Sequence, residues 1–174
     1  GELVPFDKVW RLGANACTKF TTSTDIKIDG NSLPAGTYSV FAKPSEKGSW
    51  TIAFNSNIEQ NGTGDYDTKL DVVSVKVKAK ENSFNETLVL EFNNITNNSA
   101  VLAIKWEKLR VDIPITMATN DLAKANIEAA IKKGEDLGKV HRNAANFYFQ
   151  TLKDNKSAMK HIEKSLAIEE TFPA

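Results

Sequence analysis

Trp10, Arg11 and Asn15 lie close together near the start of the chain and bring three complementary chemistries. A tryptophan ring offers a broad apolar face, arginine a planar fork of donors, and asparagine both a donor and an acceptor. Such a set can grip a sugar or a carboxylate, the ring stacking while the polar pair fixes orientation. The same residues also have a structural reading. Trp10 can plug one end of a sandwich, Arg11 can pair with Asp65, Asp67 or Asp71, and Asn15 can hold a turn in left-handed geometry. A second set gathers in the long stretch from Asn55 to Leu70, where Asp65-Tyr66-Asp67 precede Asp71. Stretches of that length without periodicity are more often functional than not. Clustered carboxylates suit calcium, but the third alternating ligand, the central glycine and the terminal glutamate of an EF-hand are missing. The acidic loop therefore reads as solvated, or as paired to Arg11, and no metal is assigned to it. The candidate ligand-binding residues are Trp10, Arg11, Asn15, Asp65, Tyr66 and Asp67.

Catalytic chemistry has fewer supports. Cys17 would need a neighbouring base to form a thiolate, and only His141 and His161 exist, both far along the chain. Cys17 follows a turn and precedes a strand, so it reads as a small buried hydrophobe. The two histidines fall on separate helices without thiolate or carboxylate company, a poor zinc set. Asn61-Gly62-Thr63-Gly64 has glycines but no lysine and no following helix, so it does not cradle phosphate. No catalytic residue and no cofactor are assigned. A rival reading is a hydrolase that gathers carboxylates from loops, Asp65 or Asp67 with Glu59, which requires one raised and one ordinary carboxylate pKa in a shared cleft.

The elements that must position these groups are mostly strands. From about residue 19 to residue 115 the apolar residues alternate with period two and are rich in β-branched and aromatic types. Val73, Val75 and Val77 stand against Ser74, Lys76 and Lys78; Leu88, Leu90 and Phe92 repeat the pattern, as do Leu102, Ile104 and Trp106. Strands are predicted near 18–28, 36–42, 50–55, 72–79, 86–92, 99–107 and 109–115, separated by turns such as Asp29-Gly30 and Asn61-Gly62. Each strand has one apolar face, so about seven strands should form an all-β antiparallel sandwich. Trp50 and Trp106 fall on strand positions and read as core. Pro114 belongs at an edge or a strand end, because it cannot donate to a ladder.

After Met117 the alternation stops, which divides the chain into a β-sandwich domain over 1–117 and a helical tail over 118–174. Three helices are predicted, about 119–134, 136–152 and 156–168. Their inner stripes are Ala123, Ile127, Ala130 and Ile131; Val140, Ala144, Phe147 and Tyr148; and Ala158, Ile162 and Leu166. Asp154-Asn155 connects the last two closely, so they should pack antiparallel, against the sandwich or against a partner copy. The run AANFYFQTLKDNKSAMKHIEKSLAI resembles one degenerate tetratricopeptide repeat, with Phe149, Ala158 and Ile162 near its aromatic and small positions and Ser165 where alanine is customary. A single repeat cannot bury its own face, so a groove of several repeats is not expected. An interaction-only reading has this hairpin docking a second copy or a partner protein through Phe147, Phe149 and Ile162.

Charge and length bound the function classes. Twenty-two basic and 22 acidic side chains cancel, and no basic tract exceeds a lysine pair, which argues against a nucleic-acid partner. The apolar runs are far shorter than the ~20 residues of a membrane span. One cysteine allows no internal disulfide; it fits a reducing compartment or an envelope protein that lacks disulfides. The opening Gly-Glu-Leu-Val looks like a trimmed or excised fragment. Sequons begin at Asn61, Asn85, Asn94, Asn97 and Asn155 and matter only in a eukaryotic secreted protein.

The chain also resembles a family of bacterial secreted proteins catalogued as domain of unknown function 2911. The resemblance runs through Leu3-Val4-Pro5, Lys8-Val9-Trp10-Arg11, Gly13-Ala14-Asn15 and Thr18, then Leu33-Pro34-Ala35-Gly36-Thr37-Tyr38-Ser39. It continues at Trp50, Phe54-Asn55, Asp71-Val72, Val75-Lys76-Val77, Asn98-Ser99-Ala100, Trp106-Glu107, Val111 and Pro114-Ile115. Ala16 departs from the pattern where many relatives carry glutamate, and Phe6 where tyrosine is common. The resemblance implies export from a Gram-negative, Bacteroidetes-like cell, by signal peptide or lipoprotein anchor, and a further strand before Gly1. It implies no activity. The expected function is a secreted or periplasmic binding or scaffolding module, taking a glycan or small polar ligand at Trp10, Arg11, Asn15 and the loop around Tyr66.

Overall fold

The computed structural model describes residues 3–171. It divides between Ala118 and Thr119 into a β unit and a helical unit. The β unit has seven strands: β1 (Thr18–Thr22), β2 (Ile26–Ile28), β3 (Asn31–Leu33), β4 (Gly36–Pro44), β5 (Ser49–Asn55), β6 (Asp71–Asn93) and β7 (Ser99–Met117). They are hydrogen-bonded antiparallel in the order β1-β4-β5-β6-β7-β2-β3.

The two layers arise because β6 changes partner. As far as Lys78 it pairs with β5, and from Ala79 onward it pairs with β7. Alternation then sends one face of each half inward. Val40, Ile52, Phe54, Val73 and Val75 from the first half meet Ile28, Leu33, Leu102, Ile104, Val111 and Ile113 from the second in one buried cluster. This is an all-β antiparallel sandwich, its stability dominated by apolar burial at about 1.5–3 kcal/mol per large side chain.

The strand boundaries differ from the sequence reading in two ways. The predicted strand at 18–28 is two, because Ser23-Thr24-Asp25 carries the chain from the edge of one layer (β1) into the other (β2). The predicted pairs 72–79 with 86–92 and 99–107 with 109–115 are single long strands. In β6 the stretch Glu81 to Asn85 breaks the periodicity; its end residues pair with β7, and register shifts on either side of Asn85 absorb the mismatch. Pro114 lies past the last β6 pairing and one residue beyond the β2 pairing, so no ladder loses a donor.

The helical unit consists of α1 (Thr119–Lys133), α2 (Leu137–Gln150) and α3 (Asn155–Thr171). Contacts between α2 and α3 run antiparallel: Ser165 Oγ donates to the Gly138 carbonyl at 2.9 Å, His141 meets His161, and Arg142 pairs with Glu169. Small residues make that crossing, with Gly138, Ala144, Ala145, Ala158 and Ser165 all buried. The predicted stripe of α3 is therefore only partly inward. Ala158 is buried, whereas Ile162 and Leu166 are 39% and 53% exposed. No described helix is long and apolar enough to cross a membrane, which says nothing of strands.

Candidate functional site

The strands β4, β5 and β6 have a second face, turned away from the core. On it Ser39, Phe41, Ala53 and Asn55 are as buried as the core residues behind them, although the second sheet lies on the other side. Two segments cover this face. The first is the stretch Val9 to Cys17, bound antiparallel to β4 by Trp10 N–H to Ala42 O at 2.7 Å and Ala42 N–H to Trp10 O at 2.8 Å. At the Trp10 bridge its side chains alternate, Trp10 joining the main core while Val9 packs against the outer cluster of Cys17, Phe41 and Ala53. The chain then bends at Leu12, φ +52°, whose side chain is also in the main core. The second cover is the loop 56–70, whose Tyr66 ring lies 4.7 Å from that of Phe41.

A local irregularity sets the chemistry. Phe54 pairs with Val73, but the next residue, Asn55, pairs with Asp71, leaving Val72 as the extra residue of a β-bulge. Bulges re-aim side chains, and this one puts an amide opposite a carboxylate at the end of the ladder. Asn55 Nδ2 donates to Asp71 Oδ1 at 2.8 Å and to the Asp67 carbonyl at 3.0 Å. Its Oδ1 accepts from Asn57 N–H at 3.0 Å and from Gln60 Nε2 at 3.2 Å. Tyr66 Oη donates to the second Asp71 oxygen at 2.7 Å. Asp71 is thus held by one donor on each oxygen, the short and strong kind of hydrogen bond. Burial, then the neighbouring Asp71 carboxylate, push the Tyr66 phenol well above its ordinary value, so it stays a neutral donor.

Beside this network lies a concavity of about 260 Å³. Val9, Phe41 and Ala53 contribute apolar surface, and Lys43, Thr51, Tyr66, Thr68, Asp71 and Ser74 contribute polar groups. An apolar floor with a few convergent donors and acceptors is the ordinary form of a small-molecule site.

The structure separates the six residues singled out by sequence. Tyr66 lines the concavity. Asp67 spends its carboxylate capping the 3-10 turn Thr68–Leu70, accepting Lys69 N–H at 2.9 Å. Asp65 is exposed, as is Asn15. Arg11 turns back to donate to the Ala14 carbonyl and takes no part in the ion pairs among the described residues. Trp10 stacks on Trp106 at 5.4 Å and meets Trp50 edge-on at 6.4 Å. Its ring therefore belongs to a tryptophan cluster and not to the Tyr66 concavity. Glu59 is exposed, and neither it nor Asp65 nor Asp67 lines that concavity.

Asn55, Gln60 and Phe41 were not singled out by sequence. The signal for Asn55 was weak, since an asparagine after an apolar strand reads as the first residue of a turn. Cys17 is buried, donates its thiol to the Gly62 carbonyl at 3.3 Å, and is pushed up by burial against the opposing pull of Arg11. That is the setting of an unreactive thiol. In the helical unit His141 and His161 do meet, with their Nδ1 atoms 2.9 Å apart and Tyr148 stacked on His161 at 5.3 Å. No group of three or more metal-ligating side chains forms among the described residues.

A family model described as a protein of unknown function (DUF2911) matches residues 1–115, which is the β unit almost to its end. No curated protein and no solved structure matches the chain.

Proposed function

We propose that this chain, which belongs to the DUF2911 family of proteins of unknown function, is a non-catalytic binding module for a small polar ligand such as a glycan. The observation that supports this reading is the Asn55–Asp71–Tyr66 network standing over Phe41 at the edge of the concavity. Its polar groups are held by one another before any ligand arrives, which lowers the ordering cost of binding. Lys43, Thr51 and Ser74 lie on strands at the same concavity and can meet ligand hydroxyls or a carboxylate. The carboxylate arrangement needed by the hydrolase reading has no such support, because Asp65, Asp67 and Glu59 are exposed on the loop.

A glycan array followed by titration calorimetry on the strongest hit tests the reading. Lys43→Ala should weaken that hit by about tenfold, the loss of one charged hydrogen bond, while leaving the melting temperature unchanged. Retention of no glycan, or equal binding by wild type and Lys43→Ala, would refute it.

The module is further proposed to act in the periplasm or outside the cell. The support is the resemblance carried by residues 3–18 and 33–39, which implies export. Cell fractionation with an antibody against the chain should recover it with envelope or medium markers; recovery with cytosolic enzymes would contradict this.

A further inference from the structure

All three tryptophans of the chain meet at one place. Next to them is a second cavity, of about 450 Å³, on the other side of the Val9–Trp10 alternation. Leu3, Val4, Phe6, Pro44, Trp50, Trp106 and Leu109 line it, and among the described residues Glu107 is the one charged member of the lining. Trp106 is fixed in place: Trp10 stacks on it, and its indole N–H donates to the Glu86 carbonyl at 3.1 Å. Glu107 is unusual in two respects. Its backbone has φ +51°, a left-handed conformation that glycine would adopt at less cost. Its carboxylate also takes part in none of the ion pairs among the described residues, while nearby Lys105 is engaged with Glu91.

A carboxylate without a cation, set beside electron-rich indole faces, attracts positive charge from two directions. Tryptophan is the best of the aromatic residues for this purpose, and an ammonium group methylated on its nitrogen has fewer N–H donors to water and is easier to desolvate. Among the described residues the lining holds no lysine, arginine or histidine to compete. We propose that this cavity is a binding site for a small organic cation carrying an alkylammonium or quaternary ammonium group. The site is distinct from the Tyr66 concavity: the two lining sets share no residue.

Choline is the probe, and 3,3-dimethylbutan-1-ol, which replaces its charged nitrogen by carbon, is the neutral control. Because every tryptophan of the chain belongs to the cluster, intrinsic fluorescence reads this cavity directly. Choline should shift the emission saturably, and the neutral control should bind about tenfold more weakly. Glu107→Gln, at an exposed position, should bring choline down to the level of the control and leave the control unchanged. Trp106→Phe, which keeps an aromatic face of lower electron density, should weaken choline about threefold and serves should the first variant misfold. Equal affinity for choline and the control, no saturable response from folded protein, or an undiminished choline response in Glu107→Gln would each overturn the proposal. Tyr66→Phe should change none of these curves, so a failure here is separable from a failure at the other concavity.

Discussion

Phe54 and Asn55 are adjacent, both fully buried, and they face opposite sides of the same sheet. Behind Phe54 is a core of aliphatic and aromatic side chains that excludes water through area alone. Around Asn55 is a covered face in which four hydrogen bonds to one amide fix the loop against the strands. The inner face could be repacked with other apolar residues of similar volume at modest cost. The outer face could not, because each polar atom depends on a partner at a particular place. One sheet therefore has a side that sets stability and a side that sets geometry.

Substitutions that break this contrast should differ in kind as well as size. Phe54→Ala removes a ring buried between the layers and in contact with Phe20 at 5.3 Å, and should lower stability by about 4 kcal/mol in urea unfolding. Asn55→Ala strands Asp71, Gln60 and the Asp67 carbonyl without their donor or acceptor, and should lower stability by about 3 kcal/mol. It should also do something Phe54→Ala does not, which is to free the loop 56–70 for proteolysis while the sheets remain folded. Tyr66→Phe deletes one donor to Asp71 and keeps the ring on Phe41, so a loss of about 1 kcal/mol is expected.

The helical unit sharpens the same contrast through pH. His141 is held below its ordinary value by burial and then by Lys164; His161 is held down by burial, then by His141, Lys164 and Lys160. The unfolded chain therefore takes up protons first as pH falls below about 6.5. Stability of α2 and α3 should be full above that value and decline as pH falls through it toward pH 5. Amide exchange in α2 and α3 should accelerate over that interval, and a His141→Gln, His161→Gln double variant should flatten the dependence. A smaller effect is expected at Ser39, whose buried hydroxyl has no hydrogen-bond partner among the described residues. Ser39→Ala should change the free energy of urea unfolding by less than about 0.5 kcal/mol, or raise it.

Much of the fold was legible because burial on one side imposes period two. Val73, Val75 and Val77 show it, and all three are in the core. Where both faces are covered the rule weakens. Val40-Phe41-Ala42 is an unbroken apolar run because Phe41 points to the second cover and its neighbours to the core. Sequence alone could not say which covering segment Phe41 would meet. The helix ends were readable from Asp136, which caps α2 through Lys139 N–H, and from Gly134. The inward side of α3 was not, since His161 and Ser165 take places at the crossing through hydrogen bonds that hydrophobicity does not register.

The site was legible in part for the same reason. The length of the loop and its tyrosine drew attention to this region, and Tyr66 lines the concavity. The sequence groups Trp10 with Arg11, whereas the structure sets the Trp10 ring against Trp50 and Trp106 and folds Arg11 back onto the Ala14 carbonyl. Asn55 depends on a bulge, and a bulge leaves no trace in composition.

Hydrogen exchange of the Ser56, Asn57 and Lys69 amides gives the most direct test of the covered outer face. These donate to the Leu70 carbonyl, the Asn55 side chain and the Asp67 side chain. In the wild type Ser56 and Asn57 should be protected nearly as well as β5, with Lys69 somewhat less, and Asn55→Ala should abolish that protection while sparing Ile52. Exchange of all three at the rate of an open loop in the wild type would contradict a face held closed by the Asn55 network.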